Sequence, residues 1–237
     1  MNRLLKFLIG LALLPLCWSA SRAFFSLLRV AVPSGGSIHA EWALPAGFVV
    51  AAAGFFLLPR PFRTYVLAHE LTHAIWGLLL GAKVGRMKVG KEGGHVLLSK
   101  NNFLIALAPY FFPFYTGLTL ALWWLVGLFW NLEAYRPWWL ALVGLTWGFH
   151  LTFTVYMLSQ TQPDVQEQGR LFSYTVIYLS NLLFVSLWLI GSGPAEWRAS
   201  CGALLTETVG AYRAVGLATA VAWRRMNQWY ADFTGVE

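Results

Sequence analysis

From Phe103 to Trp130 the chain carries no charged residue and no histidine, a run long enough to cross about 30 Å of hydrocarbon at about 1.5 Å per residue. Further apolar runs occupy residues 4–30, 43–59, 137–160 and 171–192, and residues 62–81 add another helix. Hydrocarbon offers no water to backbone N–H and C=O groups, so such runs are confined to helices that satisfy their own hydrogen bonds. The chain has 237 residues, 58% hydrophobic and 11% charged, which leaves room for five to six helices and no separate soluble domain. The expected fold is therefore an all-α polytopic membrane protein with five to six transmembrane helices. Residues 1–237 form one membrane domain, with N-terminal spans over 1–59, a core over 60–192 and a helical tail over 193–237. Pro59 and Pro61 leave open whether 43–81 is one bent span or two helices.

Residues 84–99, VGRMKVGKEGGHVLLS, break this character. Val and Met alternate with basic residues and KEGG supplies turn chemistry, so a β-hairpin is expected, placed at the membrane interface or in a protein-lined cavity because an open sheet edge cannot face lipid. The net charge of +7 is read as lysine and arginine on cytoplasmic loops, not as a nucleic-acid footprint. Lys83, Arg86, Lys88, Lys91 and Lys100 cluster around the hairpin, whereas Glu133 offsets Arg136 in the loop at 131–136. The hairpin side is expected to be cytoplasmic, in a plasma membrane of bacterial inner-membrane type. The N-terminus has the basic end and apolar core of a secretory signal, but FFSLLRVAV prolongs the run and favours an uncleaved anchor. Cys17 and Cys201 lack metal or disulfide spacing and read as packing residues. The tail at 199–223 is either a small-residue span or an interfacial helix.

Within the helix at 62–81 stands HELTH, residues 69–73. Positions i and i+4 share a helix face, so His69 and His73 can present two imidazole nitrogens to one Zn2+ ion with Glu70 beside it as general base. Catalytic zinc sites use three protein ligands and keep one position open, so a third ligand must come from elsewhere. Asp164, in LSQTQPDVQEQGR, is the candidate. Two spans separate it from the hairpin, which returns the chain to the face it left, and Pro163 can end the preceding helix there. The alternative is that Asp164 caps the helix beginning near Arg170 or pairs with Arg170. His150, on a helix that would put it roughly 20 Å from Asp164 unless the chain bends, reads as a buried or outer-sphere residue. His95 is an interfacial imidazole or a substrate contact. Asn181 either bonds between helices or donates to a substrate carbonyl.

HELTH on a membrane helix, a basic hairpin with GGHV, LAPYFFPFY opening the next span and an aspartate beyond it together resemble the site-2 protease family of intramembrane zinc metalloproteases, over roughly 60–185. The resemblance implies zinc held by His69, His73 and Asp164, Glu70 as the base, and a membrane-embedded hairpin at 84–99 that guides substrate. It implies an endopeptidase acting on membrane-embedded or membrane-adjacent protein segments, with protein substrate and lipid bilayer as partners. The aspartate stands in QPDVQEQG where the family usually reads LDG, and no PDZ domain fits. The rival readings are a membrane zinc protease of another architecture, with Glu207 as the downstream ligand, and a non-enzymatic zinc-binding scaffold or sensor.

Overall fold

The computed structural model describes residues 2–31, 42–90, 93–192 and 197–234. Lys91 and Glu92 of the expected hairpin turn lie outside the described residues. Helices dominate: α1 (Arg3–Ala31), α2 (Ala43–Leu57), α3 (Phe62–Leu79), α4 (Phe103–Phe111), α5 (Phe114–Gly127), α6 (Arg136–Leu158), α7 (Pro163–Gln168), α8 (Arg170–Ser192) and α9 (Trp197–Thr234). The strands β1 (Val84–Val89) and β2 (Gly94–Leu98) form the one sheet among the described residues. Contacts divide the chain into a unit holding α2 to α7 with the start of α8, and a unit of α1, the remainder of α8 and α9.

Among the described residues, three helical segments are long and apolar enough to cross a membrane: Arg3–Arg29, Glu133–Leu158 and Arg170–Ile190. A fourth span is reached if α4 and α5 are taken together, and these meet at 75°. The expected single run 103–130 is thus broken, because Pro113 cannot continue α4 and Phe112 ahead of it adopts an extended backbone. The stretch 43–81 resolves into two helices, since Leu58 is extended and the Pro59 to Pro61 segment intervenes before α3 starts. With 15 residues, α2 is shorter than the length a span needs.

In the first unit, α2 lies directly on α6. A methyl group on Gly47 would collide with the carbonyl of Ala141, and one on Gly144 with the carbonyl of Leu44. Small residues therefore allow backbone-to-backbone approach, the packing mode that serves helices lacking a hydrophobic drive in lipid. Below this contact Phe55, Tyr65 and Phe153 form an aromatic core, with Tyr65 and Phe153 stacked at 4.9 Å. Arg60, at the break between α2 and α3, sits over the rings of Phe55 and Tyr156 at 4.6 and 4.7 Å.

In the other unit, α9 is one helix of 38 residues. It packs on α1 through Tyr212, whose hydroxyl donates to the Ala12 carbonyl at 2.6 Å, and through a Ser19–Thr208 hydroxyl pair at 3.1 Å. Glu207 accepts from Arg22 Nε at 2.9 Å. The packing role expected of Cys201 is not found, because Cys201 is exposed on α9.

Candidate metal centre

The buried positions of α3 include Val66, Glu70, His73 and Gly77, one helical stripe, and the hairpin lies along it. In the hairpin Lys88 pairs with His95 and Val89 with Gly94. Gly94 is where the strand meets the helix: a methyl group there would sit 2.7 Å from Val66 Cγ1 and 2.9 Å from Glu70 Cγ. Only glycine lets β2 run this close to the HELTH segment.

His69 and His73 bring their Nε2 atoms to 3.2 Å of each other, and Asp164 Oδ2 lies 3.6 Å from both. One ligand atom from each residue fits within 4.8 Å of the others, so the three can hold a metal ion. Local chemistry explains how the aspartate arrives. After α6 ends at Leu158 the chain turns, Pro163 opens the six-residue α7, and Asp164 falls in its first turn. Val165, 3% exposed, anchors this short helix, and Gly169 ends it at φ +89°, a backbone that favours glycine. The alternative reading, with Asp164 paired to Arg170, is not what the structure holds: its carboxylate faces the two imidazoles and Tyr110. Burial alone would raise the Asp164 carboxyl, but the electrostatic pull of the neighbouring His69 and His73 outweighs it. The carboxyl is left well below the ordinary carboxylate range and stays ionised at neutral pH.

Outer partners orient each of the three. His73 Nδ1 is 2.9 Å from the carbonyl of Ile105, and because a carbonyl only accepts, Nδ1 carries a proton; in the neutral imidazole the lone pair is then on Nε2, free for a metal. Ile105 has a carbonyl to offer because the residue four later is Pro109, which has no N–H for the helical bond. Asn102 caps α4, accepting from Ile105 N at 2.9 Å, and so fixes where that carbonyl lies. His69 Nδ1 is 3.3 Å from Tyr65 Oη. Tyr110, fully buried, places its hydroxyl 3.2 Å from both Asp164 Oδ2 and Gln162 Oε1.

Glu70, 5% exposed, borders the same cavity as the three clustered residues. The cavity has a volume of about 700 Å³ and is walled on one side by β2, including His95. His95 is exposed on the strand and is not in the three-residue cluster. His150 is buried in α6 and is also outside the cluster, bordering a second, smaller pocket with His69. Asn181 belongs to the other unit, where its amide donates to the Ile177 carbonyl one turn back at 2.9 Å.

The sequence reading did not single out Tyr65, Tyr110, Ile105 or Gly94. Tyr65 precedes His69 by four residues on the same face, and a tyrosine in LAPYFF at span depth needs a hydroxyl partner, so those two left a readable trace. No protein-family model, curated protein or solved structure matches the chain.

Proposed function

We propose that the protein is a zinc-dependent intramembrane endopeptidase, of the kind the site-2 protease resemblance implies. The observation that carries this reading is the convergence of His69, His73 and Asp164 beside Glu70. Tetrahedral zinc with bonds of about 2.0–2.2 Å requires ligand atoms about 3.3–3.6 Å apart; the separations here are 3.2, 3.6 and 3.6 Å. Three protein ligands leave one position for water, the mark of a catalytic rather than a structural site, which favours an enzyme over a scaffold or sensor. The rival ligand Glu207 is engaged by Arg22.

A zinc ion held by His69, His73 and Asp164 would supply an acidified water and Lewis-acid polarisation of a carbonyl. Glu70 takes the proton of the attacking water and passes it to the departing amine. Substrate must be extended to expose its carbonyl, and β2 offers an edge for it. Gly90 N donates to Gly93 O and Lys88 pairs with His95, so by antiparallel alternation the backbone groups of Gly94 and Val96 point away from β1. A substrate segment added along this edge lies against the cavity that His69 and Glu70 border.

In this reading the chain is a multi-pass protein of a bacterial inner membrane with five to six spans, and the hairpin faces the cytoplasm. In intact cells a cysteine replacing Glu133 is expected to react with an impermeant reagent and one replacing Gly90 to be protected; the reverse pattern would invert the orientation. The function itself is tested on purified, reconstituted chain. It should contain about one zinc per chain and release peptides from co-reconstituted membrane proteins, and a chelator should stop release until zinc is restored. Release that continues after complete zinc removal defeats the proposal.

A further inference from the structure

His150 is 8% exposed in α6, and its Nε2 has no hydrogen-bond partner among the described residues. A buried nitrogen left so loses its hydration without recovering a bond, and an ordered water is the usual remedy. His150 borders a pocket of about 10 Å³ whose walls also include Tyr65, His69 and Thr72, which is the space of one water. A second demand falls on the same pocket. A His69 that offers Nε2 to a metal carries its proton on Nδ1, so Tyr65 Oη at 3.3 Å is the acceptor and its own O–H needs an acceptor in turn. Tyr65 is only 4% exposed. Thr72 Oγ1 donates to the Ala68 carbonyl at 2.7 Å and keeps lone pairs for an incoming bond.

We propose that this pocket binds one ordered water, which accepts from Tyr65 Oη and donates to His150 Nε2 and to Thr72 Oγ1. Three bonds are what a buried water ordinarily makes, and the arrangement answers both demands at once. It makes His150 a positioning residue: through water and Tyr65 it fixes the tautomer and ring orientation of His69, although it touches neither metal nor substrate. The inference rests on the zinc reading above, because only a metal-facing Nε2 obliges His69 to donate through Nδ1.

The test is zinc affinity of the purified full chain, read by competition with a chromogenic chelator and independent of any cleavage assay. His150→Phe should weaken zinc binding about 10–100-fold, the usual effect of losing an outer-sphere partner, while His150→Gln, whose amide oxygen can accept from the water, should keep most of the affinity. Tyr65→Phe should weaken binding similarly. The double variant should be no weaker than Tyr65→Phe alone, because both changes cut one chain of bonds. Should His150→Phe fail to fold, Thr72→Val removes a partner of the same water with little change of shape and should also weaken zinc. Parental affinity in a folded His150→Phe or, failing that, in Thr72→Val overturns the proposal, as do losses that multiply in the double variant. A parent chain that binds no zinc defeats the underlying zinc reading, whereas zinc binding indifferent to His150 defeats only the water relay.

Discussion

Glu70→Gln is expected to keep its zinc and to lose peptide-bond cleavage by about 10²–10⁴-fold, the range a positioned general base contributes. The separation of the two effects is the point of the experiment. Glu70 is not in the cluster that His69, His73 and Asp164 form, yet it borders the same cavity, so its carboxylate can reach water there without ligating. Glutamine preserves the shape of a side chain that is 5% exposed and lies against Gly94 of β2, so the hairpin has no steric reason to move. What is lost is the capacity to accept a proton. Zinc content by elemental analysis and cleavage of a reconstituted substrate are the two readouts. Undiminished cleavage would remove Glu70 from the mechanism, and loss of zinc would mean that Glu70 helps to bind the metal.

The parts of this site that the sequence made legible are those governed by local geometry. His69 and His73 share a face because any helix places i and i+4 together, and the hairpin at 84–99 was readable from alternation and turn chemistry. Asp164 required a topological step, the return of the chain after two spans. Pro163 then marked the residue at which a new helix begins.

The backbone partners were not legible, because they depend on where α4 docks. Pro109 shows this well: a proline in an apolar run announces a missing N–H, but not that the freed Ile105 carbonyl will meet His73. The bend of 75° between α4 and α5 is a similar case, with its site marked by Pro113 and its angle decided by packing. Cys201 misled because an apolar, small-residue neighbourhood in sequence need not be packed in space.

Asp164→Asn is expected to weaken zinc binding by more than about 100-fold, above the 10–100-fold that outer partners contribute, and to stop cleavage with it. An amide is a poorer zinc ligand than a carboxylate and brings no charge to offset that of the ion. The effect should be large because this carboxylate is the one acidic member of the cluster and is held ionised by both imidazoles. Tyr110 donates to it at 3.2 Å and can equally donate to the asparagine oxygen, so the fold of α7 should survive, and thermal melting checks this. Glu207→Gln is the matched control. Its carboxylate is bound to Arg22 at 2.9 Å, so its loss should leave zinc in place and cost no more than the roughly 0–1 kcal/mol of an exposed ion pair. If the two variants exchange behaviours, the ligand set passes to the downstream glutamate and the architecture proposed for this site fails. If both retain zinc and cleavage, the third ligand must be sought at His95, which borders the cavity from β2, before His150, whose pocket lies on the Tyr115 and Phe149 side of His69.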